Sequence, residues 1–292
     1  MRAVAQELIL GADGSEESLA AVDWAAGEAV RRGVPLRIVY ASAWQRYEGH
    51  KPSFGVHRGP APVHADHMVA EAVERAHRRA PTVKVSGDVV AEDPVTVMVR
   101  ESAAGAIVVV GSRGRGGLAS LLLGSVSLSV AAHAPSPVIV VRGGKRNRDG
   151  GFREVVVGVD EAREAGPAVA FAVRAAESRG SALRAVHAWR CPAHAVPDVP
   201  LAGDATDFHQ MRAEGQLDEA LRETVRDGTA VSVHKHAVEG HARAALLAAA
   251  GSADLLVVGA RRRKGHIGMQ LGSVNHAVLH HAACPVAVVP HT

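Results

Sequence analysis

Short runs of apolar, mostly β-branched residues alternate along this chain with longer stretches whose apolar positions recur at helical spacing. In the first half the short runs predict strands at Leu8–Gly11, Leu36–Ala41, Val83–Val90, Ile107–Val110 and Val138–Val141. Between them the pattern predicts helices over Glu16–Arg32, Ala65–Ala80, Val95–Ala103 and Ser125–Ala132. In Ala65–Ala80, Met68, Val69, Ala72, Val73 and Ala76 form one apolar face with charges between them. Runs such as "AIVVV" are apolar on both faces, as parallel strands covered by helices on each side must be. Strand–helix alternation of this kind predicts an α/β fold built on a doubly wound, open parallel sheet.

The same pattern then occurs a second time. "LILGAD" ending at Asp13 matches "VVVGVD" ending at Asp160, and "LRIVYA" ending at Ala41 matches "LRAVHA" ending at Ala188. "LGSVSLSVAAHAPSPVIVV" matches "LGSVNHAVLHHAACPVAVV", and the offset stays at 147 or 148 residues throughout. A period that long means duplicated domains rather than a solenoid. The boundaries read as 1–143 and 153–292, joined by the polar, Gly-rich segment "RGGKRNRDGGFR" over 142–153, which reads as an exposed linker. After the second strand of each half comes a long loop rich in Pro, His and Gly, at 45–63 and 190–204. Loops of that kind are mobile or act as lids.

Composition narrows the class. Of 292 residues, 47% are apolar and 3% aromatic, enough for packed cores. The net charge of +3 and the isolated run Arg261–Arg263 lack the basic stripe of a nucleic-acid binder. Two cysteines, Cys191 and Cys284, make no disulfide framework and suit a reduced cytoplasm. The first residues have no apolar region of signal-peptide length, and no span long and apolar enough for a membrane is expected. His276 and His280, four apart on a predicted helix, have zinc-ligand spacing but no third ligand in sight, so no metal is expected. Cys284 reads as a small buried hydrophobe.

The chemistry concentrates in "GSRGRGGLASLLLGS", which leaves the fourth strand with glycine at 111, 114, 116, 117 and 124. In an open parallel sheet, ligands sit outside the carboxyl ends of the strands where the connections diverge. If the first and fourth strands are adjacent at that point, Asp13 faces the glycine loop across one crevice. Gly111 and Gly114 are expected in left-handed conformations that aim successive N–H groups at one anion. Gly124 and Ser125 open the next helix, whose N–H groups and dipole favour a phosphate, and Arg113 can add a bidentate contact. Asp13 suits a sugar hydroxyl, and equally suits capping of the helix at Glu16.

The spacing Gly111-x2-Gly114-x9-Gly124-Ser125, with "LGADGS" on the first strand and "PVIVV" at the end, resembles the universal stress protein family in its tandem form. The resemblance implies a stress-response or regulatory protein that binds ATP, or ADP or AMP, with magnesium as the nucleotide's companion. It implies that Asp13 holds the ribose, that the Ala41 backbone meets the adenine edge, and that Gly111, Arg113, Gly114, Gly124 and Ser125 hold the phosphates. Ala12, Val110 and Val126 flank these. The second half offers a weaker candidate site at Asp160, Ala188, Gly259, Arg261, Arg262, Gly272 and Ser273. There Arg262 stands where the first half has Gly114, and a left-handed arginine is expected to cost about 1–2 kcal/mol.

Two other functions compete: an ATP-independent surface for a protein client, and weak ATP hydrolysis or self-phosphorylation. The chain shows no paired carboxylates, P-loop lysine or catalytic triad spacing to support designed turnover. The resemblance further implies an internal pseudo-dimer, with Val138–Val141 pairing Val286–Val289, and leaves a further homodimer open. Chain cleavage near Gly150 is therefore expected to leave the halves co-eluting in gel filtration; halves that elute as separate monomers would refute that pairing.

Overall fold

The computed structural model describes residues 7–42, 61–114, 123–190, 205–222, 224–225, 230–261 and 271–291. It divides into two compact units, Met1–Arg142 and Gly143–Thr292. The first contains β1 (Leu8–Gly11), α1 (Glu16–Arg32), β2 (Leu36–Ala41), α2 (Ala61–Arg79) and β3 (Val85–Val90). It continues with α3 (Pro94–Ala103), β4 (Ile107–Gly111), α4 (Ser125–His133) and β5 (Val138–Val141). The second opens with α5 (Lys145–Arg148), then β6 (Glu154–Gly158), α6 (Ala162–Arg179), β7 (Ala182–Trp189) and α7 (Ala205–Arg222). It ends with β8 (Val233–Glu239), α8 (Ala242–Ala250), β9 (Leu255–Arg261), α9 (Ser273–His281) and β10 (Val286–His291).

In the first unit the strand order is β3-β2-β1-β4-β5, and every neighbouring pair is parallel. Leu8 of β1 is in register with Leu36 of β2 on one side and Ile107 of β4 on the other. The chain thus leaves β1 toward β2 and later returns to β4, which opens a crevice at their carboxyl ends. Helices α1 and α2 pack together, as do α3 and α4, and the sheet lies between the two pairs. All of β4 is buried, consistent with its unbroken apolar run. The second unit repeats the plan in the order β8-β7-β6-β9-β10.

Local signals set the element ends. Ser15 caps α1 by accepting a hydrogen bond from Ser18 N, acids occupy the first turn, and Gly33 closes the helix in the left-handed conformation at φ 64°. Gly180 closes α6 in the same way, at φ 58°. Helix α2 starts at Ala61, inside the expected long loop. Strand β3 starts two residues later than expected, since Val83 N is committed to a turn with Ala80 O at 3.1 Å. The remainder of the first long loop, 45–60, and most of the second, 191–204, lie outside the described residues. Among the described residues no helix is long and apolar enough to cross a membrane.

The expected exposed linker is exposed over most of its length, and Asn147 anchors it within the second unit. Asn147 is buried to 7% exposure, and its Nδ2 donates to Ala253 O at 2.8 Å and, more weakly, to Ala250 O at 3.4 Å. Those carbonyls belong to the end of α8 and the turn after it, where a helix lacks internal donors. Gly143, at φ 81°, lies against the Ala283 carbonyl, leaving no room for a side chain. The Arg146 guanidinium sits 4.3 Å from the Phe152 ring centroid. Asp254, 3% exposed, accepts from Phe152 N at 2.9 Å and Glu154 N at 3.1 Å, fixing where β6 begins. Within the segment Asn147 is the buried exception, because its side chain faces backbone groups rather than water. Asn147→Ala strands the Ala253 carbonyl, so it is expected to cost about 1–3 kcal/mol in urea unfolding and to speed tryptic cutting at Arg148.

Candidate functional site

The diverging connections of β1 and β4 open a cavity of about 400 Å³ in the first unit. Its walls contain every residue singled out for the first half: Ala12, Asp13, Ala41, Val110, Gly111, Arg113, Gly114, Gly124, Ser125 and Val126. They also contain Gly11, Ser18, Val39, Tyr40, Pro94, Met98 and Ser127, which sequence reading passed over. Met98 is buried, and its Sδ lies where it would touch a Cβ on Gly11 at 3.1 Å. Together with Val39, Pro94 and Val110 it gives the cavity an apolar side. No sequence signal marked Met98, because it looks like any other inward position of α3.

The polar side is built by the first loop. Asp13 Oδ1 accepts from Ser15 N at 3.0 Å and from Ser15 Oγ at 2.7 Å. Gly14, at φ 76°, allows the chain to turn back for these bonds. The helix cap is thus Ser15, with Asp13 orienting it, rather than Asp13 itself. Ser15 Oγ also lies 3.3 Å from Arg113 O, and Arg113 Nη2 pairs with Glu17 Oε1 at 2.7 Å. The first loop and the glycine loop are therefore tied together directly.

The glycines act differently from expectation. Neither Gly111 nor Gly114 has left-handed φ, so they do not form the expected nest. A Cβ on Gly111 would lie 2.9 Å from Glu17 O and 3.0 Å from Glu17 C, because the first turn of α1 runs directly over the end of β4. A Cβ on Gly114 would collide with Asp13 Oδ2. Close approach of backbone, not conformational freedom, requires glycine at 111, while at 114 a side chain would have to displace the Asp13 carboxylate. Gly124 is the N-cap of α4 at φ −73° and supplies no capping side chain, while its own N–H goes to Ser112 O at 2.8 Å. The first turn of α4, at Ser125, Val126 and Ser127, thus presents amide groups beside the cavity. Ser127 Oγ donates to Gly111 O at 2.7 Å and fixes the helix to the strand. Gly116 and Gly117 lie outside the described residues.

A second cavity, about 500 Å³, occupies the corresponding place in the second unit. Asp160, Ala188, Gly259, Arg261, Gly272 and Ser273 line it, while Arg262 lies outside the described residues. Asn275 Nδ2 donates to Gly259 O at 2.9 Å, repeating the Ser127–Gly111 bond. Leu246 faces Gly158 as Met98 faces Gly11. The first loop departs most: Glu161, at φ −97°, stands in place of Gly14 and is the N-cap of α6 without a side-chain capping bond. Asp160 is exposed there. Arg261 Nε donates to Glu164 Oε2 at 3.0 Å, and this bond, reinforced by Glu161 and Asp160, raises the guanidinium above its ordinary value. His291 was also missed. Its ring stands beside Gly259, and its buried Nδ1 meets no hydrogen-bond partner among the described residues. His276 and His280 stack at 6.2 Å, and no group of three or more metal-ligating side chains occurs among the described residues.

The sequence matches the model of the universal stress protein family over residues 6–142 and 151–290. Universal stress protein Rv2005c of Mycobacterium tuberculosis is 36% identical over 302 residues, covering 96% of each chain. A universal stress protein of Mycolicibacterium smegmatis is 30% identical over 294 residues, covering 97% of this chain and 96% of its own. Among solved structures, a universal stress protein from Archaeoglobus fulgidus superposes with a TM-score of 0.68 over 99% of both chains at 21% identity, a likeness of fold.

The differing roles of the glycines have a measurable consequence. Gly111→Ala forces the α1 backbone off β4 and is expected to cost about 1–3 kcal/mol in urea unfolding. Gly124→Ala meets its nearest atom, Arg113 Cα, at an ordinary 3.5 Å, and is expected to change stability by less than about 0.5 kcal/mol.

Proposed function

This chain belongs to the universal stress protein family, and from that premise we propose that its first unit binds an adenine nucleotide, ATP above all, in the service of a cytoplasmic stress-response role. The observation that carries the reading is the convergence on one cavity of an apolar side, an acid and a helix N-terminus without a capping side chain. The first turn of α4 and Arg113 suit the phosphates, since amide groups and a guanidinium both favour an anion. Asp13 lines the cavity, and its carboxylate suits a ribose hydroxyl. Val39, Met98 and Val110 suit the base, with the Ala41 backbone at its edge. Magnesium accompanies the nucleotide's phosphates.

One nucleotide per chain is the expected stoichiometry. The second cavity lacks the Gly14–Ser15 turn that orients Asp13, and three carboxylates surround its arginine. The ATP-independent client-binding reading predicts instead that protein purified from cells releases no nucleotide.

Mass spectrometry of small molecules released from fresh protein separates the two readings, and calorimetry supplies the count. ATP is expected to bind with a stoichiometry near one. Gly124→Arg places a side chain across the first turn of α4 at a backbone conformation open to any residue, so binding should vanish while the unfolding midpoint stays within a few degrees. Undiminished ATP binding by this variant would overturn the reading.

A further inference from the structure

The arginine that borders each cavity is held by a glutamate from the first turn of the helix after the unit's first strand. Arg113 Nη2 meets Glu17 Oε1 at 2.7 Å, and Arg261 meets Glu164 Oε2 through both Nε, at 3.0 Å, and Nη2. The two glutamates correspond across the repeat, although the loops around them, "DGSEES" and "DEAREA", share little else. Neither pair is buried: the Glu17 and Arg113 side chains are 28% and 46% exposed. Ion pairs this accessible hold loosely enough for a multiply charged anion to displace them.

We infer that Glu17 and Glu164 are latches that compete with a ligand's phosphates for the arginine, and so set how much phosphate groups add to binding in each unit. The inference rests on the nucleotide reading of the first cavity. A triphosphate that takes the Arg113 guanidinium must break the contact with Glu17 and then accept that carboxylate as a like charge nearby. A nucleoside meets neither penalty.

The latch is heavier in the second unit. Glu164 engages two nitrogens of Arg261, and Glu161 Oε2 lies 3.9 Å from Nη2. Phosphate admission is therefore graded, first unit before second, on the strength of residues in the helix start.

The test is calorimetry on the full chain at low salt with adenosine, ATP and tripolyphosphate, comparing the parent protein with Glu17→Gln, Glu17→Ala and Glu164→Gln. Both Glu17 variants are expected to tighten ATP and tripolyphosphate roughly three- to tenfold relative to adenosine, an advantage that fades at high salt. Glu164→Gln is expected to add a second ATP event. If the Glu17 variants bind ATP as weakly as the parent or more so, while the parent binds ATP, the latch is overturned and the nucleotide reading stands. If ATP and adenosine bind none of the proteins, the nucleotide reading falls. Tripolyphosphate then decides the latch alone, supporting it if tightened and overturning it if unchanged or unbound. A Glu164→Gln protein with unchanged stoichiometry overturns the graded second site.

Discussion

The first turn of α1 crosses the end of β4 so closely that the backbone at Glu17 occupies the space where residue 111 would carry a side chain. Much of the first cavity depends on that contact. It brings the loop bearing Asp13 and Ser15 against the loop bearing Arg113 and Gly114. It sets Glu17 within ion-pair distance of Arg113, and it leaves the β4 carbonyl at Gly111 available to Ser127 at the start of α4. A crevice with diverging connections arises in any open parallel sheet of this order. Its dimensions here come from two backbones meeting at a glycine.

The second unit shows how the same frame tolerates different contents. Gly259 is retained, yet its nearest neighbour is the ring of His291 rather than helix backbone, because β10 runs on to His291. The volume at the strand ends grows from about 400 to about 500 Å³. The polar first loop changes from an Asp–Gly–Ser turn with internal hydrogen bonds to an extended Asp–Glu start without them. What persists is the apolar contact under the first strand, Met98 on Gly11 and Leu246 on Gly158, and the arginine–glutamate pair at the mouth. Duplicated units thus keep the contacts at the sheet ends and the ion pair at the mouth, while the polar first loop diverges.

The polar link between the units follows a related physical logic. Asn147 and Asp254 are among the few buried polar side chains, and each satisfies backbone groups that secondary structure leaves without partners. Their burial is tolerable because amide and carboxylate find several hydrogen bonds each. A segment whose composition suits solvent can therefore be anchored where one side chain completes a helix end.

The sequence by itself determined the order of the main strands and helices and the duplication, and it named part of the lining of the first cavity. Apolar periodicity, β-branched runs and cap residues are local properties, legible wherever burial follows chain spacing, as in Leu8–Gly11, Glu16–Arg32 and Val138–Val141. The rule for where connections diverge, applied to adjacent first and fourth strands, was enough to set Asp13 near Gly111 and Gly114. Tertiary structure decided the rest, because it depends on distances between segments far apart in the chain. It made Gly111 and Gly114 spacers for a neighbouring backbone and carboxylate rather than left-handed turns, and it turned Met98 into a cavity wall. It also joined Glu17 to Arg113 and Glu164 to Arg261 across nearly a hundred residues. No spacing rule encodes such pairs, since the approach that creates them is made by packing and not by the residues themselves.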